Sequence, residues 1–178
     1  MMVRCNRFNL YLLLALAPAL ICGCLTAKSR EKGRLSALRL HQEVNRDIPE
    51  RSEVVEVHKD PTITLRIDKQ PFLTEAYVKQ ARVIEAAGGF ALQIQFNKEG
   101  SWLLEQYTAA SRGKHIDIFC QFAMPPEKKL NVGRWLAAPR FTTHITDGLL
   151  VIIPDATREE AEQIALGLNN VARKEQTE

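Results

Sequence analysis

The chain has few cysteines, and they lie in the wrong places for a disulfide-stabilised fold. Only four occur among 178 residues, and three of these fall within the first 24. A disulfide framework needs cysteines spread through the folded part, so the sequence excludes one. Long apolar runs are also scarce. The longest, Leu10–Leu25, has 16 residues and contains Pro18, whereas a helix needs ~20 residues to cross a bilayer.

An excess of charge of one sign is missing too. The chain carries 24 basic and 21 acidic residues, and removal of Arg4 and Arg7 with the N-terminal segment would lower the net charge from +3 to +1. Nucleic-acid-binding proteins usually present a basic patch or stripe, and none is visible, so nucleic acid is not an expected partner. The motifs G-x-S-x-G, Walker A and G-x-G-x-x-G are absent as well, and no cofactor is expected.

The N-terminal segment has the layout of a secretion signal. Arg4 and Arg7 precede the apolar run, and the polar stretch "TAKSREKGR" follows it, as in a signal peptide. The run ends in "LICGC", residues 20–24, which resembles the lipobox of bacterial lipoproteins. In that pattern a branched apolar residue stands three positions before a cysteine and a small residue stands directly before it. The resemblance implies cleavage between Gly23 and Cys24, with diacylglycerol attached to the Cys24 thiol.

Lipid attachment would hold the protein on a membrane of the bacterial cell envelope, facing the periplasm or the exterior. Each buried methylene contributes ~0.8 kcal/mol, so two or three acyl chains make a firm anchor. Two alternatives stay open, which are an uncleaved signal anchor and an ordinary secretory signal with incidental cysteines. Cys22 is a less suitable acceptor, because the bulky Ile21 would then stand at the cleavage point.

Composition and periodicity divide the chain into four parts. These are a signal peptide over residues 1–23, a polar tether over 24–36, an extended N-terminal region over 37–60 and a folded body over 61–174. In the N-terminal region, Ala37–Val44 has apolar residues at even spacing and predicts a strand, although a short helix is possible. Asn45–Glu53 has the composition of a loop, and alternating runs follow on both sides of Asp60-Pro61.

Within the body, periodicity predicts the order strand, strand, helix, strand, strand, strand, helix. Gly88-Gly89 and Asp147-Gly148 both predict hairpin turns between strand-like runs. Leu149–Ile153 is continuously apolar, as a central strand would be. This order favours an α+β, ferredoxin-like two-layer sandwich, in which two helices lie on one face of a mostly antiparallel sheet.

Both predicted helices carry recognisable start signals. Asn97 is a candidate cap for the first helix, and Thr157-x-x-Glu160 is a capping box for the second. The apolar stripes are expected to face the core. They consist of Leu103, Tyr107 and Ala110 in the first helix, and of Ala161, Ile164, Leu168 and Val171 in the second.

Several short motifs occur in one order between Pro71 and Val171. They are a "P-x-L-T" lead-in, a "V-x-x-A" strand, a strand ending in "F-N-x-x-G" that opens a helix, an "A-P" strand and a final "T-x-E-E-A" helix. Together they resemble the head subdomain of the first periplasmic domain of the SecD or SecDF translocase subunit. The resemblance implies an α+β head that contacts a translocating polypeptide outside the membrane.

The sequence also departs from that family. SecD has several transmembrane helices with acidic proton-coupling residues, and no such span is visible here. Where SecD has a tight Asp-Gly turn, this chain has the longer "CQFAMPPEKKLNVG". The resemblance therefore implies the fold and a binding surface, but not the export motor.

Candidate catalytic or ligand-binding side chains are few. Cys120 could act as a nucleophile with His115 or His144, but it shares a predicted strand face with Ile116 and Ile118, which favours a buried structural thiol. The remaining candidates are better explained by structure. Metal-ligand spacing is missing among the four histidines, which are His41, His58, His115 and His144. Acidic side chains are favoured at a helix N-terminus, which explains Glu159, Glu160 and Glu162. The aromatic side chains are expected to pack in or beside the core, although they could line a groove; they are Trp102, Tyr107 and Trp135.

The sequence therefore favours a non-catalytic, lipid-anchored envelope protein that binds a polypeptide or an envelope protein partner, in a role accessory to protein export. No metal site is expected, and the residues that bind the partner cannot be identified from the sequence. The alternatives are an envelope enzyme with an unrecognised active site and a purely structural envelope component. An unpaired sheet edge or an exposed apolar groove would favour binding, whereas a cleft with convergent, pKa-perturbed groups would favour an enzyme.

Overall fold

The computed structural model describes residues 33–45, 49–57, 62–126 and 129–175. The described elements belong to one compact unit, Arg34–Glu178. Its strands are β1 Ser36–Gln42, β2 Ser52–Val57, β3 Ile63–Asp68, β4 Leu73–Thr74, β5 Val78–Ala86, β6 Gly89–Phe96, β7 Ile116–Phe122, β8 Val132–Ala137 and β9 Leu149–Ile152. The helices are α1 Lys98–Ala110 and α2 Arg158–Glu175, with a 3₁₀ turn at Glu75–Tyr77. From β5 onward the predicted order of elements is confirmed.

The described strands form three antiparallel sheets. Their orders are β4-β1-β7-β8, β2-β3 and β5-β6-β9. The α+β class with antiparallel pairing and two α-helices is confirmed, but the strands are not collected into one sheet as the sequence predicted. The helices are correspondingly separated, because α2 packs mainly against β5 and β1 whereas α1 contacts β4 and β6.

The division into sheets follows from the segment between β8 and β9. β8 pairs with β7, and β9 pairs with β6, so the hairpin predicted at Asp147-Gly148 is wrong. β8 ends before Pro139, which has no N–H to donate to a ladder. The later turn directs β9 towards the other sheet instead. Gly148 has a φ of +66°, and its carbonyl accepts from Phe96 N at 3.0 Å.

β1 is part of the main four-stranded sheet. It pairs with β7 from Ser36 opposite Phe122 to Gln42 opposite Ile116, and it separates β4 from β7. Leu38 and Leu40 on β1 have no exposed surface. The body boundary predicted at residue 61 therefore leaves out a strand of this sheet. Alternation shows that a segment is extended, but it does not show which strand that segment pairs with.

One continuous core lies between the four-stranded sheet, the three-stranded sheet and the helices. Its fully buried members include Leu38, Leu40, Leu92, Ile94, Leu104, Ile118, Phe122, Ile164 and Leu168. Alternate residues of β1, β6 and β7 enter this core, because successive side chains on a strand point to opposite faces. The period-two pattern of the sequence therefore does predict most of the core.

Both predicted helix starts are confirmed. The Asn97 side chain accepts a hydrogen bond from Gly100 N at 2.8 Å. In the capping box, Thr157 N donates to Glu160 Oε2 at 2.8 Å, and Glu160 N donates to Thr157 Oγ1 at 3.2 Å. These bonds satisfy backbone N–H groups that have no partner inside the helix.

The two apolar stripes have different outcomes. In α2 the stripe is confirmed at Ala161, Ile164 and Leu168, which are buried, while Val171 is half-buried. In α1 the prediction is displaced by one position. The buried residues are Gly100, Leu104 and Thr108, whereas Leu103 and Tyr107 are half-buried and Ala110 is exposed. Two adjacent leucines allow either stripe, and the packing of the helix against its neighbours selects between them.

Gly167 on α2 provides a test of how closely this helix approaches β1. A Cβ at this position would lie 2.1 Å from Ser36 Oγ, 2.7 Å from Ser36 N and 2.8 Å from the Leu35 carbonyl carbon. Helix propensity alone favours Ala over Gly by ~1 kcal/mol. We expect Gly167→Ala to destabilise the protein by roughly 2 kcal/mol, because overpacking against backbone cannot be relieved by rotating a side chain. Urea unfolding measures the change.

Ser36→Gly is the control background for this substitution. It removes the hydroxyl but leaves Ser36 N and the Leu35 carbonyl in place, so Gly167→Ala should still destabilise in this background, by a smaller amount. A stabilising Gly167→Ala would show that α2 and β1 are further apart than the structure places them.

Candidate functional site

Cys120 is a buried core residue on β7. It has no exposed surface, and neither do its neighbours on the same strand face, Ile118 and Phe122. Burial raises the pKa of the Cys120 thiol, and the negative charge of Glu75 adds to that increase. A reactive thiol needs a lowered pKa and access to solvent. The structural assignment of Cys120 is confirmed, and the side chain is unsuited to act as a nucleophile.

We therefore expect Cys120 to react with a thiol reagent only when the domain unfolds. At neutral pH without denaturant, labelling with iodoacetamide should be much slower than in urea, as followed by the mass of the proteolytic peptide that contains Cys120, which separates it from Cys5, Cys22 and Cys24. Cys120→Ala should change stability modestly and leave membrane attachment intact. Rapid labelling of the native protein would contradict the assignment.

The histidines do not converge on one site. His41 is buried, His144 is exposed, and His58 lies outside the described residues. His115 is about a quarter exposed, and its Nδ1 lies 2.9 Å from Glu43 Oε2. Within the described parts of the chain, no three His, Cys, Asp or Glu side chains come together in a way that could hold a metal ion.

The acidic residues of α2 have structural roles or face solvent. Glu160 closes the capping box and pairs with Arg134 Nη2 at 3.0 Å. Glu159 and Glu162 are exposed. The contacts of Glu160 are therefore those of a helix cap and an ion pair, and Glu159 and Glu162 lie on a solvated helix surface.

The aromatic candidates also lie apart. Tyr107 stacks on Phe72 with ring centroids 4.1 Å apart, and Trp135 contacts His41 and Phe119. Both are half-buried, as predicted. Trp102 is not, because 57% of its surface is exposed.

Gly23 and Cys24 lie outside the described residues, so cleavage and lipid attachment stay predictions. Within the residues that the structure describes, no helix is long and apolar enough to cross a membrane.

Asp117 on β7 is a functional candidate that the sequence reasoning missed. It has no exposed surface, and neither carboxylate oxygen has a hydrogen-bond partner among the described residues. It stands opposite His41 in the pairing of β1 with β7. The β2–β3 hairpin lies against this face of the sheet, where the Asp68 carbonyl is 2.8 Å from His41 Nδ1. An aspartate between isoleucines suggests a solvent-facing position, and only this tertiary cover buries it.

Burial also perturbs the charges around Asp117. It raises the pKa of Asp117 to about 7, with a further contribution from the negative charge of Glu43. Burial alone would raise the pKa of Glu43, but hydrogen bonds from the backbone and ring of His115 outweigh it and lower that pKa. Burial lowers the pKa of His41. Asp117 can therefore hold a proton near neutral pH, but without solvent access it reaches no substrate.

A polar cleft of about 420 Å³ lies beside the hairpin. Its lining residues are Gln42, Val44, Asn45, Arg51, Ser52, Asp68 and Lys114. Arg51 Nε and Asp68 Oδ2 are 2.8 Å apart, so two of these charges already compensate each other. The lining has no side-chain thiol or imidazole, and its charges are of mixed sign, so the cleft offers little discrimination between ligands.

The outer edge of β9 is a clearer candidate for a binding site. β9 is the last strand of its sheet, and its sequence from Leu149 to Ile153 is aliphatic throughout. Val151 is 48% exposed and Ile153 is 63% exposed. The prediction that β9 is a central strand is therefore wrong, because a continuous apolar run cannot distinguish a central strand from an edge strand with one apolar outer face.

The comparisons with known proteins agree with this fold. Residues 52–172 match the family model described as SecDF, P1 head subdomain, which is more than half of the chain. The chain belongs to the SecDF P1 head subdomain family. No curated protein sequence matches it.

Solved SecDF structures resemble the P1 head described here. One, described as a membrane component SecDF that enhances protein export, is 21% identical with a TM-score of 0.53, and the match covers 78% of this chain and 64% of that chain. Another is SecDF from Thermus thermophilus, described as a translocon-associated membrane protein. It is 21% identical with a TM-score of 0.43, and the match covers 79% of this chain and 20% of that chain. The chain thus spans less than two thirds of the length of either structure.

Proposed function

We propose that this chain is a non-catalytic lipoprotein of the cell envelope whose P1 head domain binds a polypeptide, as an accessory to protein export. The observation that carries the proposal is the family match over residues 52–172. A structural relative with the same fold is described as enhancing protein export. The apolar edge of β9, which pairs with no further strand among those described, supports binding, since extended peptides commonly add to exposed sheet edges.

The proposed partner is a polypeptide that is emerging into the envelope in an extended state. A photo-crosslinking residue at an exposed position of the full chain, such as Trp102, should capture a secretory protein that has been stalled midway through the membrane. A stalled protein that is not exported is the control. Equal capture of both proteins, or of neither, would contradict the proposed function.

The anchor is tested separately. If Cys24 is lipidated, the protein extracted from membranes should lack residues 1–23 and carry the added mass of diacylglycerol. Cys24→Ala should leave the chain unacylated and uncleaved, because the thioether cannot form. Cys22→Ala is the matched control and should leave processing unchanged. An unmodified Cys24 in the membrane fraction would overturn the anchor.

A further inference from the structure

The other described sheet edges are protected against pairing with another chain, as exposed edges generally are. On β5 the Asn169 amide occupies both backbone groups of Ala81, with Ala81 N to Oδ1 at 2.8 Å and Nδ2 to Ala81 O at 2.7 Å. A bulge between Val78 and Gln80 adds to this protection. On β8 the Leu136 carbonyl accepts from Asp155 N at 2.6 Å.

The remaining edges are short, charged or partly paired. β4 has two residues. β2 exposes Glu53 and Glu56, and charges on an edge disfavour pairing. β3 is joined to the end of β1, because Val44 N donates to the Arg66 carbonyl at 2.8 Å. By contrast, β9 has no charged residue and no bulge, and the hydrogen bond that the described residues make at its outer edge is the one from Leu149 N to the Asp147 side chain.

The pairing of β9 with β6 shows which of its backbone groups point outward. Phe96 N bonds to the carbonyl of Gly148, the residue directly opposite. In an antiparallel ladder, bonded pairs alternate with non-bonded pairs, so Leu150 and Ile152 also turn their backbone groups towards β6. Leu149 and Val151 then turn theirs outward. The bond from Leu149 N to the Asp147 side chain at 3.0 Å agrees with this orientation.

Three outward groups of β9 therefore have no hydrogen-bond partner in the described part of the chain, which are the Leu149 carbonyl and both backbone groups of Val151. An acceptor, a donor and an acceptor along one line are complementary to the backbone of an extended polypeptide. The exposed side chain beside them is aliphatic, and across the ladder Val151 stands opposite Gln93. The neighbouring face is lined by Gln80, Arg82, Gln93 and Gln95. Its one charged side chain, Arg82, already donates to Gln93 Oε1 at 2.9 Å, and its other side chains are neutral amides, so an uncharged, β-branched segment fits best.

We propose that the outer edge of β9 is where the protein captures polypeptide, by pairing Val151 with an extended, uncharged segment of the bound chain. This inference rests on the proposed function and names its site. The pairing region is short. At one end the Asp147 side chain already accepts the hydrogen bond from Leu149 N, and at the other end Pro154, which follows Ile153, has no N–H to donate. Capture therefore depends on few hydrogen bonds and only weakly on the side chains of the bound segment. Such weak, unselective binding suits a polypeptide that is being exported.

The test uses the ¹⁵N-labelled full-length chain in an uncharged detergent and the peptide Ac-KTVTVTK-amide. Adding the peptide should slow hydrogen exchange of the Val151 amide severalfold, while the Leu150 and Ile152 amides, already bonded to β6, should not change. The same peptide N-methylated at every inner residue keeps its side chains but loses its donors, and it should have no effect. This comparison leaves the protein unaltered.

Two variants separate backbone pairing from side-chain contact. Val151→Pro removes the outward N–H without removing a bond to β6, and an edge strand tolerates Pro; it should abolish peptide binding. Val151→Thr keeps the N–H and should bind. Val151→Lys adds an edge charge and should weaken binding, and it serves as the second variant if Val151→Pro does not fold.

The outcomes distinguish this inference from the proposed function. Binding that persists in Val151→Pro, or that leaves Val151 exchange unchanged, overturns the site and leaves polypeptide binding intact. Protection of Val151 without peptide that rises with protein concentration shows that the occupant is a second copy of the chain, which overturns the inference. Failure to bind the peptide anywhere argues against both.

Discussion

A chain that begins at Asp60 should fail to unfold cooperatively, although residues 61–174 contain the predicted body and most of the family match. Such a truncation removes β2, the partner of β3, and also β1, which lies between β4 and β7. It removes Leu38 and Leu40 from the core, and truncation of a single buried leucine typically costs about 2–5 kcal/mol. The lost ladder with β7 adds to this. The total approaches the entire stability of a typical domain, about 5–15 kcal/mol.

The matched control is a chain that begins at Arg34 and keeps β1. Urea unfolding followed by circular dichroism should give a single steep transition for the longer chain and a shallow, broad change for the shorter one. Equal m-values and similar midpoints would show that β1 and β2 are both dispensable. This result would restore the boundary at residue 61 and would leave the pairing of β1 with β7 without an energetic role.

The sequence could predict the elements because their signals are local. Periodicity and caps identified the order from β5 to α2, and the Thr157–Glu160 box marked the start of α2. Pairing is not local. Asp147-Gly148 has the composition of a hairpin turn, yet its flanking segments pair with β7 and β6, which nothing within the turn reveals.

Candidate sites were harder to predict, since they depend on what covers each face. Cys120 could be assigned from its apolar neighbours on the strand. Asp117, three residues earlier, is buried only because the β2–β3 hairpin lies over the opposite face of the same sheet. The edge of β9 shows the opposite case. Its sequence resembles a buried strand, but the edge is exposed because no strand follows β9 in that sheet.

Replacing Asp117 with Asn should stabilise the protein at pH 8 but not at pH 5. Burial raises the pKa of Asp117 to about 7, compared with about 3.9 for an unfolded chain. Between these values the folded state binds the extra proton, so the free energy of unfolding falls as the pH rises from about 4 to 7. A difference of about three pKa units corresponds to at most about 4 kcal/mol. Asn carries no charge at either pH and removes this cost.

Two neighbouring groups contribute pH dependence of the opposite sign, so the test compares the variant with the wild type at each pH. The lowered pKa of Glu43 gives stability that is lost as the pH falls below about 4.5. The lowered pKa of His41 penalises folding at acidic pH and relieves that penalty as the pH rises towards 6.5. Both effects are present in the wild type and largely retained in Asp117→Asn, so they cancel in the difference between the two proteins.

Glu56→Gln is the control for loss of a carboxylate, because Glu56 is exposed on β2. Its effect on the free energy of unfolding should be small and equal at pH 5 and pH 8. For Asp117→Asn the stabilisation at pH 8 should exceed that at pH 5 by about 2 kcal/mol or more, since the unpaired amide of Asn costs about 1–3 kcal/mol at both pH values and drops out of the comparison. An equal effect at the two pH values would mean that Asp117 is already ionised at pH 5. The buried carboxylate would then have a partner or a path to solvent, and the assignment of this side chain as a charge confined beneath the β2–β3 hairpin would be wrong.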